Sequence, residues 1–179
     1  QRYHWLHYPS QSYDKRKEAK SPRSNTIIPN MGFAMQGEYK KFDKKLFEKF
    51  DNSARERTKQ FLRSQGCEVV DNPNQYGVDL IAEKNGKKYF VECEVKNVWS
   101  GKKFPPYFKD VQLPARKEKF FGNQTAFFIW NKELDNAVYF WSSEIKHLKP
   151  QVVENKYMKK GEKFFKIPLD LVNMVDKEI

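Results

Sequence analysis

Three carboxylates and a lysine lie close together in the middle of the chain. They are Asp79, Glu92, Glu94 and Lys96. Glu92, Glu94 and Lys96 are spaced two apart, so in a β-strand their side chains lie on one face. Clustered carboxylates repel each other unless a proton or a cation intervenes. A hard divalent cation, Mg²⁺ or Mn²⁺, prefers such oxygen ligands, and an adjacent lysine can orient or help to deprotonate a water bound there.

A predicted β-hairpin positions these side chains. Asn85-Gly86 is a strong signal for a two-residue turn, here between strands over 78–83 and 88–96. With Lys84 opposite Lys87, counting back along both strands places Asp79 opposite Glu92, about 5 Å apart at Cβ. The acids then cluster at the open end of one face. The other face is apolar and carries Val78, Leu80, Ala82, Val91, Cys93 and Val95.

A solvated strand face is the alternative interpretation of the same residues. In that case Lys88 and Lys96 pair with the acids, as is common on exposed strands. Two features favour a site instead. No cation separates Glu92 from Glu94, and both lie in the one acidic part of a basic chain.

The charge distribution indicates a phosphate-bearing partner. The chain has 34 basic and 23 acidic residues, a formal net charge of +11. Residues 67–99 hold four basic and six acidic side chains, whereas residues 1–66 and 100–122 are strongly basic. Positive charge attracts phosphate backbones, so we expect nucleic acid as the partner, ahead of an anionic membrane surface or an acidic protein.

Length and composition exclude several classes of protein. A chain of 179 residues predicts one domain plus an appendage. No stretch approaches the ~18 uncharged apolar residues of a membrane span, and no leader peptide opens the sequence. Cys67 and Cys93 lack the spacing of a disulfide framework or a zinc site, which predicts buried reduced thiols. We expect a soluble protein of a reducing compartment, cytoplasmic or nucleoid-associated, with a viral or mobile-element origin left open.

Hydrophobic periodicity predicts an α/β domain over residues 39–179. Apolar steps of three and four residues predict a helix over 43–65 that Gly66 ends, with one break where Ser53 and Glu56 fit a capping box. A second helix or helical turn is predicted around 113–121. The predicted strands cover 67–70, 78–83, 88–96, 125–130, 137–141 and 164–169.

Residues 1–30 have no sustained hydrophobic period and mix basic, aromatic and proline residues. This composition predicts an extended basic N-terminal arm over residues 1–38, with a hinge at 32–37. Its rings could stack on unpaired bases while its cations hold phosphates, or the arm could pack along the domain or a partner chain.

The order of these residues resembles the PD-(D/E)XK, or restriction-endonuclease-like, nuclease superfamily. An Asp at the start of one strand is followed by a hairpin and then by Glu-x-Glu-x-Lys. The resemblance covers roughly Ser53 to Trp141. Within it, similarity to archaeal Holliday junction resolvases is local, and it is carried by Ser53-Ala54-Arg55-Glu56-Arg57, Leu62-Arg63, Gly66, Val69-Val70, Asp79 and Asn85-Gly86. The resemblance implies an αβββαβ core with a central mixed β-sheet flanked by helices.

The resemblance also implies a metal-dependent DNA endonuclease of the restriction, repair, recombination or mobile-element type. Asp79 and Glu94 would ligate the principal ion, Glu92 or Glu56 a second ion or its waters, and Lys96 would position the attacking water. The motif pair is either Glu94 with Lys96, which we favour, or Glu92 with Glu94. Gly77-Val78 precedes Asp79 where the superfamily commonly has Pro, and the capping box is an equal alternative for Glu56.

A basic, aromatic and proline-stiffened segment, Trp99 to Lys109, follows the predicted catalytic strand where a substrate would enter. The candidate nucleic-acid contacts are Lys102, Lys103, Lys109, Gln112, Arg116 and Lys117. We expect DNA as the partner, with RNA less favoured, and a homodimer or larger assembly through the arm. The rival hypothesis is a non-catalytic nucleic-acid-binding or assembly protein that retains a nuclease fold.

Overall fold

A computed structural model describes residues 44–155 and 158–175. The predicted arm, residues 1–38, lies outside the described residues, so both its role and the domain boundary stay predictions. None of the helices within the described ranges is long and apolar enough to cross a membrane. Cys67 and Cys93 are both buried thiols, as predicted.

Helix α1, Lys44–Ser64, confirms the first predicted helix but not the predicted break at Ser53. The apolar stripe continues past this residue, and both Ala54 and Leu62 are fully buried. Burial of a continuous stripe outweighs the local capping preference of Ser53, because most helix stability in proteins comes from tertiary packing. The helix therefore runs through the capping-box sequence.

Gly66 ends α1, as predicted. Its φ of +79° is in the left-handed region, which glycine adopts without a steric penalty. Gly66 donates its N–H to the carbonyl of Arg63 at 2.9 Å, and Cys67 donates to Leu62 at 3.0 Å. These two bonds satisfy carbonyls at the helix end and turn the chain into the first strand.

Nine strands follow within the described residues. Their bounds are β1 Glu68–Asp71, β2 Leu80–Lys84, β3 Lys87–Lys96, β4 Asp110–Pro114, β5 Thr125–Asn131, β6 Ala137–Trp141, β7 Gln151–Asn155, β8 Met158–Pro168 and β9 Asn173–Val175. A short helix α2, Ser142–Ile145, follows β6, and 3₁₀ helices cover Ala115–Phe120 and Leu169–Leu171.

A six-stranded sheet forms the centre, in the order β1-β2-β3-β5-β6-β9. β3 and β5 are parallel, and the other neighbours are antiparallel. The predicted α/β class with a central mixed sheet is confirmed. The short 3₁₀ helix Ala115–Phe120 lies where a helix or helical turn is predicted, at the second α position of the αβββαβ order.

The predicted hairpin register is confirmed. Lys84 pairs with Lys87 and Leu80 with Val91. Asn85 and Gly86 have φ values of 52° and 71°, both in the left-handed region that a tight two-residue turn requires. This register controls which side chains share a face with Glu92.

A second, three-stranded antiparallel sheet, β4-β8-β7, was not predicted. The helix expected around 113–121 is wrong in its first part, since Leu113 and Pro114 belong to β4. Val111 and Leu113 are fully buried, whereas Gln112 between them is half-buried. This period of two suits a strand that pairs with β8, and it outweighs the helical spacing farther along.

The two faces of the central sheet are covered differently. α1 covers one face, where Phe61 and Phe128 have ring centroids 5.7 Å apart. On the same face the Thr58 hydroxyl accepts hydrogen bonds from Trp130 Nε1 at 2.8 Å and from Cys93 Sγ at 3.3 Å. The hydroxyl also donates to the carbonyl of Ala54 at 2.8 Å, so these buried polar groups are satisfied.

The three-stranded sheet and the 3₁₀ helix Ala115–Phe120 cover the opposite face. Their shared core includes Trp99, Val111, Leu113, Phe120, Phe127, Ile129, Phe140, Phe165 and Ile167. Val78 also belongs to this core, so its predicted placement beside Leu80 is wrong. The reason is that β2 begins only at Leu80, and strand alternation does not extend back to Val78.

The acidic side chains of β3 share this second face. Glu92 is in register with Phe127, and Glu94 with Ile129. Both neighbours are nearly fully buried. The fold thus places the carboxylates against an apolar layer rather than in open solvent.

Candidate functional site

Three carboxylates, Asp79, Glu92 and Glu94, form what we call the acid cluster. Asp79 lies just before β2, and the two glutamates project from β3. The Oδ2 atom of Asp79 accepts a hydrogen bond from the backbone N–H of Cys93 at 2.8 Å. Because Cys93 lies between the two glutamates, this bond holds Asp79 beside them. The structure brings together the three acids that the hairpin pattern indicated.

Lys117 enters the acid cluster from the 3₁₀ helix Ala115–Phe120. Its ammonium group contacts Oε2 of Glu92 and lies 3.6 Å from Oε1 of Glu94. The side chain of Glu92 is only 3% exposed and that of Lys117 is 18% exposed, so this ion pair is largely removed from water. The expected nucleic-acid contact of Lys117 stays a prediction, but its observed partners are the two glutamates.

The charges in the acid cluster perturb one another. Burial and the charge of Asp79 raise the pKa of Glu92 to about 7, although Lys117 opposes the shift. Burial also raises the pKa of Glu94, against the opposing charges of Lys117 and Arg116. For Lys117, burial works to lower the pKa, but Glu92, Glu94 and Asp79 together outweigh burial and raise it. In the acid cluster, the negative charge of the three carboxylates therefore exceeds the positive charge of Lys117.

The carboxylate oxygens of the acid cluster are the type of ligand that a hard divalent cation prefers. With all groups ionised, the three carboxylates and one ammonium leave a net charge of −2, which a divalent cation would neutralise. The Lys117 ammonium already lies between the two glutamates as a stand-in cation. In residues 44–155 and 158–175, no three His, Cys, Asp or Glu side chains are already grouped closely enough to hold a metal. A metal shared by both glutamates would therefore require Lys117 to move.

The raised pKa of Glu92 predicts a pH-dependent stability of the metal-free protein. A carboxyl group whose pKa is raised on folding favours the folded state when it is protonated. Stability is then lost as the pH rises from the unfolded value, 4.5, to about 7. We expect the free energy of unfolding to fall by about 3 kcal/mol over this window.

Denaturant titrations in EDTA at several pH values measure this loss. The Glu92→Gln variant keeps the shape of the side chain but cannot ionise, so its stability should change much less between pH 5 and 8. An equal loss of unfolding free energy with rising pH in the parent chain and in Glu92→Gln would contradict the assignment of this pH dependence to Glu92.

Lys96 lies at the edge of the acid cluster. Its ammonium group sits 4.8 Å from the ring centroid of Phe108. Burial lowers the pKa of Lys96, while the charges of Asp110 and Glu94 oppose this shift. Lys96 therefore interacts electrostatically with Glu94, but its observed cation–π contact is with the segment that follows β3.

Glu56 is placed differently from the other candidate ligands. It forms an ion pair with Lys59 at 2.7 Å, and Lys59 also contacts Asp71 of β1 at 2.6 Å. Its helix packs on the sheet face opposite the acid cluster, and Glu56 lines an open cleft with Arg57 and Leu134. A role of Glu56 at the metal stays a prediction.

The other candidate nucleic-acid contacts lie on the elements after β3. Arg116 pairs with Glu162 at 2.7 Å and ties the 3₁₀ helix to β8. Gln112 is half-buried on β4. The remaining three candidates are exposed in the segment between β3 and β4, namely Lys102, Lys103 and Lys109. All five stay predicted contacts.

The pairing of Lys117 with the acid cluster was not found from sequence. Lys117 and Glu92 are separated by 25 residues and by a complete strand, β4. No local period links positions so far apart. The basic character of the segment was the one available signal, and it favoured a surface role.

No protein-family model and no curated relative matches the sequence. Among solved structures, the chain is similar to Hjc, a Holliday junction resolvase from Archaeoglobus fulgidus. That match has 12% identity and a TM-score of 0.41, and it covers 68% of this chain and 85% of the resolvase. The chain is also similar to the bacterial homing endonuclease I-Ssp6803I, with 14% identity and a TM-score of 0.40. This second match covers 76% of this chain and 80% of the endonuclease.

Proposed function

We propose that this chain is a metal-dependent endonuclease that hydrolyses phosphodiester bonds in DNA. The observation that carries the proposal is the acid cluster, in which three carboxylates are held together in a largely buried place with one ammonium group. Such a cluster is costly to maintain for stability alone, because burial penalises each charge. A cation-binding role gives this arrangement a chemical purpose.

Asp79 and Glu94 would hold the principal Mg²⁺ or Mn²⁺, and Glu92 would hold a second ion or bound waters. When bound, such an ion lowers the pKa of a coordinated water and neutralises charge on a phosphate. Asp79 is already fixed by its bond from the Cys93 amide, so this ligand needs little reorganisation. The two glutamates, by contrast, would have to release Lys117 before they share an ion.

The two nearby lysines have separate proposed roles. Lys96 would position the attacking water, because the charge of Glu94 acts on it and its pKa is lowered. Lys117 would exchange its contact with Glu92 for an oxygen of the scissile phosphate. Its ammonium would then stabilise the negative charge that develops in the transition state.

The basic segment after β3 supports a nucleic-acid substrate. Residues 100–122 hold six basic and two acidic side chains. Lys102, Lys103 and Lys109 are exposed there and would contact phosphates beside the acid cluster. A dimer or larger assembly through residues 1–38, and a role in restriction, repair, recombination or a mobile element, belong to the same proposal.

A cleavage assay tests this function directly. Plasmid, single-stranded, branched and RNA substrates are incubated with Mg²⁺, Mn²⁺ or EDTA. We expect cleavage of one or more DNA substrates with a divalent cation and none in EDTA. The same panel separates DNA from RNA as the preferred substrate.

The second candidate is a non-catalytic nucleic-acid-binding or assembly protein. The contact of Lys117 with Glu92 and Glu94 favours it, since an internal cation can neutralise the acids permanently. Titration with Mn²⁺ distinguishes the two candidates. Binding of Mn²⁺ that requires Asp79 and Glu94 supports the enzyme. Binding of DNA without Mn²⁺ binding or cleavage supports the second candidate.

A further inference from the structure

An exposed tyrosine stands at the end of a row of packed aromatic rings in the segment between β3 and β4. Trp99 is fully buried, and its ring centroid lies 5.1 Å from that of Phe104. Phe104 is 5.5 Å from Phe108, and Phe108 is 4.7 Å from Tyr107. Tyr107 itself is 70% exposed. The row therefore contacts the Tyr107 ring on one side and leaves most of the residue open to solvent.

The segment that carries Tyr107 is anchored along its length. Trp99 Nε1 donates to the carbonyl of Lys103 at 2.9 Å, and Phe108 donates its N–H to the carbonyl of Pro105 at 3.0 Å. Near the start of the segment, Asn131 donates to the carbonyl of Gly101 at 3.2 Å. These bonds hold the backbone that carries Tyr107 before any ligand arrives, which reduces the entropy lost on binding.

The surroundings of Tyr107 are basic and adjoin the acid cluster. Lys102, Lys103 and Lys109 are exposed in the same segment. Lys96, two residues after Glu94 on β3, lies over the ring of Phe108. One aromatic ring thus separates Tyr107 from Lys96, on the strand that carries the two glutamates of the acid cluster. A nucleic-acid backbone whose phosphates contact these lysines would lie beside both Tyr107 and the acid cluster.

We propose that Tyr107 is a stacking platform for an unpaired DNA base, so that the preferred substrate contains an unpaired nucleotide next to the cleaved bond. This inference rests on the proposed nuclease function and names its substrate class. In an intact duplex the base faces are covered by their neighbours, so only an unstacked base can lie flat on an exposed ring. The surrounding lysines favour a nucleotide over an apolar peptide, because they supply contacts for the adjoining phosphates.

Binding measured in EDTA tests the platform without cleavage. The full chain is titrated by fluorescence anisotropy against a paired duplex, the same duplex with one central unpaired nucleotide, and the single strand. We expect Tyr107→Ala to weaken binding of the two ligands with unpaired bases by about 5- to 100-fold, from the usual strength of base–aromatic stacking. Binding of the paired duplex should stay unchanged.

Two further variants make the comparison specific. Tyr107→Phe keeps the ring and should retain the affinity. Tyr76→Ala removes another exposed tyrosine, 77% exposed, that lies in the turn before β2, and it should change no ligand's affinity. A 2-aminopurine at the unpaired position should be quenched on binding by the parent chain and by Tyr107→Phe, but not by Tyr107→Ala.

Equal weakening on all three DNA ligands would overturn the platform, since it would mean a general surface contact. No weakening on any ligand would also overturn it and leave the exposed ring to a protein partner. The proposed nuclease function fails separately, if no DNA substrate is cleaved with Mg²⁺ or Mn²⁺. In that event the binding comparison still decides the role of Tyr107.

Discussion

Replacing Asp79 by alanine or asparagine is expected to abolish metal-dependent cleavage, with a loss of at least about 10²- to 10³-fold, the usual cost of removing one preorganised charge-stabilising group. Asp79 is held by the Cys93 amide, and its charge raises the pKa of Glu92. Asparagine keeps an oxygen that can accept this hydrogen bond but removes the negative charge. The Asn variant therefore isolates the cation-binding role from the structural role.

The measurement is the initial rate of DNA cleavage at saturating Mg²⁺ or Mn²⁺. Glu94→Ala should show a similar loss, because Glu94 shares the same proposed ion. DNA binding should be roughly intact in both variants, since the predicted phosphate contacts lie on other elements.

Glu83→Gln provides a matched control on the same hairpin. Glu83 is exposed on β2 and pairs with Lys88 near the turn, away from the acid cluster. Its neutralisation should leave the rate unchanged. Unchanged cleavage in Asp79→Ala would sink the assignment of the active site.

Replacing Lys117 by methionine is expected to destabilise the metal-free protein by about 3–5 kcal/mol at pH 8, the usual cost of removing one partner of a buried ion pair. The variant leaves Glu92 and Glu94 in a buried place without the ammonium group that contacts them. The loss should be smaller at pH 5, because protonation of Glu92, whose pKa is about 7, relieves the repulsion.

A divalent cation should reverse this destabilisation. Without Lys117, the three carboxylates carry a net charge of −3 when ionised, so Mn²⁺ should bind more tightly to the variant than to the parent chain. Denaturant titrations with Mn²⁺ and with EDTA measure the recovered stability, and calorimetry measures the affinity. Cleavage should nevertheless fall, because the variant lacks the group proposed to stabilise charge on the phosphate.

Lys119→Met is the control for this experiment. Lys119 lies on the same 3₁₀ helix, is exposed, and sits 4.7 Å from the ring centroid of Phe120. Loss of the Lys119 ammonium should lower the free energy of unfolding only slightly, and Mn²⁺ should not change the stability of this variant. Equal destabilisation of the two variants, or no recovery of Lys117→Met with Mn²⁺, would contradict a cation-binding acid cluster.

Features written in short stretches of sequence could be predicted well. The Asn85-Gly86 turn set the hairpin register, because both positions require positive φ and the two strands then pair residue by residue. That register was enough to bring Asp79 to the strand that carries Glu92 and Glu94. Gly66 likewise marked the end of α1, where only a residue without Cβ adopts the left-handed turn freely.

Features that depend on distant partners could not be predicted. The sequence pattern predicts a helix or helical turn from residue 113, but residues 110–114 form β4 because β8 supplies their hydrogen-bond partners some fifty residues later in the sequence. The predicted break at Ser53 was wrong for a related reason, since packing of α1 on the sheet outweighs a local cap. Local propensity is a weak guide wherever tertiary contacts decide.

The sequence by itself determined which carboxylates meet, because turn chemistry and strand alternation act over a few neighbouring residues. Only the tertiary structure decided what surrounds them. The second sheet buries Glu92, Lys96 contacts the ring of Phe108, and Lys117 forms an ion pair with Glu92. Burial and long-range charge pairing depend on how distant segments pack in three dimensions. No spacing along the chain encodes that packing, so the charge balance of the acid cluster became visible only in the fold.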